Sequence, residues 1–385
     1  MTAEVPAPIL RTVKPKLRVD FARAVIGATR QPGASGRWLL RRVLRCRLSA
    51  QKLTSEEFFR FGLHRVTVTD GERATFLGDT AMRRLNTLLN GPPEENDTEL
   101  LMDKLRTSEV LRAAGLPQAR ELATYHPQTG TLRSAEEIAA FLLAPGNTPT
   151  FGKPVHGSST LGVAAVERVV GDGMVELGDG RIVAAAALAA EIVASYGLGY
   201  VFQELLRASD AIRPLSGPVL PTLRVATLRM KGTPVPIYAA LRLPAPGAMA
   251  DDGGAGGNAR LHLDVATGAI LRGQEMTRFG GTDMLITPVT GLALKGQSVP
   301  DWPEVLRLSV AVHRQFPRHT IVGTDIALSD RGLLVNEANA HPHHMTYQMV
   351  SNSGLLNEKF RPLFRAVLAE KGITAPPRGT AWPFE

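Results

Sequence analysis

The sequence predicts a mixed α+β (α/β) protein whose strands follow a helix-rich front, and three observations lead there. At 385 residues the chain is long enough to bury a core for two or three subdomains. Apolar residues recur at helical spacing through much of the first 114 positions. From residue 119 onward, apolar strands separated by Gly, Pro and Asp turns predominate, ending in a hairpin over 322–339. An apolar content of 44% with mean hydropathy −0.01 describes a globular chain.

Composition narrows the function classes. No apolar run approaches the about 20 residues of a membrane helix, and the start lacks a signal-peptide pattern. The single Cys46 rules out an internal disulfide framework and suits a reducing cytoplasm, the expected location. Residues 1–60 hold 13 Lys or Arg against 4 Asp or Glu, a balance of +9, so the net +8 of the chain arises in a basic front. The near-neutral remainder is not the surface of a nucleic-acid-binding protein.

Residues 1–35 are expected to be a basic, loose tail, with Pro6, Pro8, Pro15 and Pro32. Residues 36–95 form the helix-rich N-terminal region. Within it Trp38, Leu39, Leu40, Val43 and Leu44 alternate with Arg41, Arg42, Arg45 and Arg47 at helical spacing. Packing of this helix on its own domain is the expected use, with peripheral membrane contact through 37–50 as the rival. Helices around one short strand, Val66-Thr67-Val68, should follow. Residues 98–114 read as a single helix ended by Gly115-Leu116-Pro117, with Lys104 near its start.

A strand over 119–125, a helix from Ser134 and a strand ending in Gly152-Lys153-Pro154 come next. His156-Gly157-Ser158-Ser159-Thr160-Leu161-Gly162-Val163 reads as a hairpin whose amides and hydroxyls can close over phosphate oxygens, with Lys153 neutralising charge. An alanine-rich helix over 184–194 precedes the strand Tyr200-Val201-Phe202-Gln203-Glu204-Leu205-Leu206. Two strands carry Arg224 and Arg242, where an inward Arg pairs with a carboxylate or phosphate. A glycine-rich loop ends at Asn258, and 302–316 is an amphipathic helix.

The hairpin carries the proposed chemistry. Ser329-Asp330-Arg331-Gly332 is a tight turn, with Asp325 before it and Glu337 and Asn339 after it. Side chains alternate along a strand, so Glu337 and Asn339 share a face, and the turn brings Asp325 beside them. Such oxygens suit a hard cation such as Mg²⁺. His341, His343 and His344 offer imidazoles, but their spacing and the lack of a cysteine favour substrate contact over a metal cluster.

In this order, over roughly residues 95–365, the motifs resemble the ATP-grasp superfamily of ligases and kinases. Met102-Asp103-Lys104-Leu105-Arg106-Thr107 and the stretch from Asn339 to Met345-Thr346 are similar to D-alanine–D-alanine ligases. The better match is the sugar-transfer-associated ATP-grasp branch, related to α-L-glutamate ligases. It rests on Leu223-Arg224-Val225-Ala226-Thr227, Asn258, Asp264 with Thr267-Gly268, Pro288-Val289-Thr290-Gly291, Val299-Pro300-Asp301-Trp302, Gly323-Thr324-Asp325 and Gln348.

The resemblance implies an ATP-grasp fold in which two sheet subdomains, 96–206 and 207–373, clamp ATP, with 374–385 as a tail. Lys104 and Lys153 would contact the phosphates, Ser158 and Ser159 would cover them, and Gln203, Glu204, Leu205 and Leu206 would meet the adenine. Asp210 is the nearest ribose candidate. Asp325, Glu337 and Asn339 would hold Mg²⁺, with Mn²⁺ as a substitute. Arg224 and Arg242 would serve the phosphoryl group or the acceptor, and Asn258, His341, His343 and His344 the substrate loop. The implied reaction is carboxylate–amine ligation through an acyl phosphate, with small-molecule acid and amine substrates. A sugar or polyol kinase and a non-catalytic ATP-binding scaffold of a polysaccharide system stay open, as does homodimer formation. Two departures stand: the front is strand-poor, and Ala340-His341-Pro342-His343-His344 replaces the glycine-containing turn of D-alanine ligases.

Overall fold

The computed structural model describes residues 8–11, 20–156, 161–250, 258–277 and 280–374. The front is helical: α1 (Phe21–Thr29), α2 (Gly36–Leu48), α3 (Ser55–Arg60), α4 (Asp70–Arg73) and α5 (Asp79–Asn90), followed by α6 (Thr98–Met102) and α7 (Lys104–Ala113). Strand β1 (Glu121–Tyr125) leads to α8 (Ala135–Leu143), β2 (Thr150–Pro154), β3 (Ala164–Gly171), β4 (Met174–Leu177), β5 (Ile182–Ala184), α9 (Ala185–Ser195) and β6 (Tyr200–Glu204). Then come α10 (Arg213–Ser216), β7 (Thr222–Met230), β8 (Thr233–Leu243), β9 (Ala259–Leu263), β10 (Ile270–Thr277) and β11 (Gly280–Met284). The chain closes with α11 (Trp302–Arg314), β12 (Ile321–Ser329), β13 (Gly332–Asn339), α12 (His344–Ser351) and α13 (Phe360–Glu370).

The strands form two antiparallel sheets. One has six strands in the order β1-β6-β2-β3-β4-β5, and the other has seven in the order β11-β10-β9-β8-β7-β12-β13. Period-two alternation gives each sheet a packed face. Tyr200 and Phe202 of β6 and Val166 of β3 pack with Ile138, Leu142, Leu188 and Ile192 of α8 and α9. In the larger sheet Leu223, Val225, Leu241, Leu261 and Leu263 face Trp302, Val305, Leu308 and Val312 of α11. Its opposite face is apolar at one end, where Ala226, Leu228, Tyr238 and Ile321 meet α5 and α13. At the other end it carries Arg224, Arg242, Arg260 and Gln274.

Three expectations at the front are corrected. Val66-Thr67-Val68 is a run of turns, because three residues without a neighbouring strand cannot pair. The Val68 amide donates to Arg65 O (3.2 Å) and that of Val66 to Gln31 Oε1 (3.0 Å). The helix expected over 98–114 is split at Asp103, whose carboxylate accepts from the amides of Leu105 and Arg106 (both 3.1 Å) and starts α7 anew. Within the expected loose tail, Ile9 and Leu10 donate their amides to Glu191 (2.7 and 2.8 Å) and Leu10 joins the small-sheet core, while α1 is a helix capped by Asp20.

Candidate active site

The hairpin turn forms as expected: Ser329 Oγ donates to Gly332 O (2.8 Å) and accepts from the Arg331 amide (3.1 Å). From the turn, Leu328 pairs with Leu333, Ala327 with Leu334 and Ile326 with Val335. The register then slips by one residue, so that Asp325 pairs with Glu337 and Gly323 with Asn339. Asn336 is the extra residue of a β-bulge. Without it Asp325 would stand opposite Asn336, and Glu337 would point to the other face. The bulge, not the turn, gathers Asp325, Glu337 and Asn339.

Asp325 is buried. Arg224, on the neighbouring strand β7 and directly opposite in register, grips both carboxylate oxygens, with Nη2 at 2.8 Å from Oδ2; Arg242 Nη2 adds a contact at 3.1 Å. Burial alone would raise the Asp325 carboxyl, and the two guanidinium groups more than reverse it, holding it below the ordinary carboxylate value. Arg224 is likewise buried and fixed in its charged form by Asp325. Gly323 makes the packing feasible, since a Cβ there would lie 3.1 Å from Pro342 Cα and 3.3 Å from Arg224 Cδ. Asn339 Nδ2 donates to Gly323 O (3.3 Å), leaving its carbonyl oxygen available.

Lys104, first residue of α7, spans from one sheet to the other. Its ammonium donates to Pro154 O at 3.4 Å and lies 3.9 Å from Glu337 Oε1. Lys153, beside Pro154 on β2, shares the cleft. Its burial and the nearby Lys104 push its pKa down to about 8, against the pull of Glu337, Asp325 and Glu121. Two lysines converging on one space, with a carboxylate between the sheets, describe a cavity suited to a polyanion. The cleft has an open volume of about 620 Å³, and Lys104, Lys153, Gln203 and Glu337 line it together with Leu101, Leu105, Leu111 and Val201.

The adenine-side expectations divide. Gln203 enters the cleft, as alternation with Val201 requires. Glu204 turns the other way: its carboxylate accepts from the Arg120 amide (2.8 Å) and lies 3.5 Å from Arg331 Nη2. The Glu204 side chain therefore ties β6 to the loop before β1. Leu205 and Leu206 follow it and are not among the cleft-lining residues. Asp210 is 92% exposed at its side chain and pairs with Arg213 at 2.9 Å, apart from the residues that line the cleft. Ser158 and Ser159 lie outside the described residues. Gly162, one residue after the described chain resumes, is anchored: its amide donates to Arg11 O (2.8 Å) and its carbonyl oxygen accepts from the Tyr200 hydroxyl (2.7 Å).

On the polar face of the larger sheet, Arg242 pairs in register with Arg260, and Arg260 with Gln274. Asn258 lies immediately before β9, two residues before Arg260. It is buried, with neither amide atom hydrogen-bonded, and Gln274 Oε1 is in the same state. The histidines disperse. His344 is buried within α12, where Nδ1 meets the Tyr238 hydroxyl (2.9 Å) and Nε2 meets Asn86 Oδ1 (2.8 Å). Burial depresses its pKa to about 3, so it is a neutral structural residue, correcting its assignment to the substrate loop. His343 precedes α12, and His341 is exposed on the connecting loop. Among the described residues no three His, Cys, Asp or Glu side chains gather as a metal site.

Gln118, Glu121 and Asn336 also line the cleft and were not singled out from the sequence. Glu121 could not be found by motif, since it is simply the first residue of β1. Gln118 follows Gly115-Leu116-Pro117, and the next tie across the cleft, the Val335 amide to Pro117 O (2.8 Å), forms only after folding.

Two antiparallel sheets meeting at such a cleft define the ATP-grasp fold. More particularly, the profile of the sugar-transfer-associated ATP-grasp family matches residues 84–361, and the chain belongs to that family. No curated protein sequence matches it. Among solved structures it is similar to the L-amino acid ligase from Bacillus licheniformis, at 13% identity and a TM-score of 0.40, over 70% of this chain and 48% of that one. It is also similar to the D-alanine–D-alanine ligase from Coxiella burnetii, at 15% identity and a TM-score of 0.40, over 71% of this chain and 58% of that one. A third is the biotin carboxylase domain of the Hydrogenobacter thermophilus 2-oxoglutarate carboxylase, described with MgADP and bicarbonate. There the identity is 14% and the TM-score 0.35, over 70% of this chain and 46% of that one. The chain thus spans about half the length of the structures it matches.

Proposed function

We propose that the protein is an ATP-dependent ligase that joins a carboxylate to an amine. The observation that carries this reading is the meeting of Lys104, Lys153 and Glu337 in one cleft, beside the Asp325–Arg224–Arg242 cluster. The lysines would neutralise the phosphates of ATP, and Gln203 would present its amide to the base. An acid substrate's carboxylate oxygen attacks the γ-phosphorus and ADP leaves. The amine then attacks the acyl carbonyl, loses a proton and expels phosphate. Positioning and charge neutralisation suffice, with no nucleophilic side chain.

The donors fit magnesium in kind: carboxylate oxygens from Asp325 and Glu337 and an amide oxygen from Asn339, on adjoining ladder positions. Asp325 shares its oxygens with two guanidinium groups, so Glu337 and Asn339 are the more available ligands. Bound there, the cation would screen phosphate charge; Mn²⁺ accepts the same oxygens. The acceptor reading rests on Arg242, Arg260, Asn258 and Gln274. A buried, unbonded carboxamide beside two guanidinium groups suits an anionic, hydrogen-bonding acid.

The test is ADP and phosphate release measured over acids crossed with amines, with mass spectrometry of the product. Stoichiometric ADP, phosphate and amide are expected, and Glu337→Gln should abolish all three. ADP with a phosphorylated alcohol and no phosphate would make it a kinase. ATP binding without any turnover would make it a scaffold.

A further inference from the structure

We propose that the outer face of α1 and α2 docks the protein on an anionic lipid surface. The inner side of α2 is used by the fold: Leu39 and Cys46, with Trp38 and Val43 beside them, pack on Phe58, Phe59 and Phe76. The outer side is also apolar. Leu40, Leu44 and Leu48 recur every four residues, forming one stripe, and are 57%, 44% and 74% exposed. The other exposed positions of α2 are Gly36, Arg37, Arg41, Arg45 and Arg47, so the helix itself presents leucine and arginine with no acid, and the one carboxylate that reaches Arg45 is Asp70 of α4, at 3.3 Å among the described residues. Helix α1, which packs against α2, adds exposed Phe21, Val25 and Ile26.

Charge selects the occupant. Residues 20–48 hold seven arginines and one acid, Asp20. A second copy seated on this face would bring like charge against like charge at every turn. A headgroup layer accepts both components, since leucines enter the acyl boundary while arginine stems extend their guanidinium groups to lipid phosphates. The face is also tied to the catalytic half. Met349 of α12 belongs to the core under α2, and its sulfur lies 3.9 Å from Arg260 Nη1. Docking through α2 would hold the acceptor side of the cleft near the surface.

Flotation of the full chain with vesicles of phosphatidylcholine alone, or with roughly one-third phosphatidylglycerol, tests this. Co-flotation with the anionic vesicles only, reversed by salt, is expected. The triple variant L40E/L44E/L48E should lose at least about tenfold in vesicle binding, because the apolar stripe is removed. Arg37→Gln and Arg41→Gln should each lose about fivefold. These side chains are outside the core, so an unchanged melting temperature would show that the variants fold. Equal flotation with neutral vesicles, or none with either, would overturn the proposal. So would a wild-type dimer that the triple variant converts to monomer, since a second copy would then cover the face.

Discussion

Asp325 and Lys153 are both ionisable groups shielded from water near the same cleft, and the fold treats them oppositely. Asp325 is answered within its own sheet: Arg224 and Arg242 make its charge cheaper to keep than to lose. Lys153 meets another lysine, and the carboxylates nearby do not offset burial, so its pKa drops to about 8. The first arrangement is complete without a ligand. The second is complete only when an anion enters. A self-satisfied ion cluster therefore marks the scaffold of the site, and an under-compensated one marks where the ligand is to bind.

The largest effect separating the two should come from Asp325→Ala. Leaving Arg224 buried without its partner should cost about 3–5 kcal/mol in denaturant unfolding, and turnover with it. Lys153→Met should do the reverse. It should lower kcat/KM by roughly 10²–10³-fold while unfolding free energy stays within about 0.5 kcal/mol, because no paired charge is removed. Equal stability losses in both variants would erase the distinction.

Deleting Asn336 should straighten the strand while leaving Glu337 opposite Asp325, so that only the local bend and twist of the bulge are lost. An activity loss of about a hundredfold, with no comparable loss from Asn336→Gly, would identify the bulge rather than the side chain as the requirement.

The pH dependence sharpens the comparison further. Below about pH 8 Lys153 is already charged, and affinity for ATP should be flat. Above it, binding must return a proton to the lysine, so the dissociation constant should rise about tenfold per pH unit toward the ordinary lysine range. Calorimetry in two buffers of different ionisation enthalpy should show proton uptake at pH 9 and none at pH 7, and Lys153→Met should remove it. The smallest effect is expected at Asp210, where Asp210→Ala should change KM for ATP less than about twofold, since that side chain is 92% exposed and pairs with Arg213.

The family and the mixed fold were legible from ordered short motifs, because each binds backbone and charge in a locally coded way. Gly152-Lys153-Pro154 had to be a strand end, and the 329–332 turn had to make a hairpin. The helix expected over 98–114 is broken at Asp103, which was present in the sequence as a capping residue to be read. Glu204 shows the limit. Its position was found, but which way it pointed depended on pairing with Arg120 across β1, 84 residues away. His344 likewise read as part of a loop, although Tyr238 and Asn86 draw it into the core.

Residue types, their order and the turn were thus determined by the sequence alone, because local propensity and charge are written one residue at a time. Which faces met was decided only in the folded chain. One extra residue, Asn336, shifts the in–out alternation of β13, and only the neighbouring ladder, with Arg224 opposite Asp325, selects the register that aligns Glu337 with it.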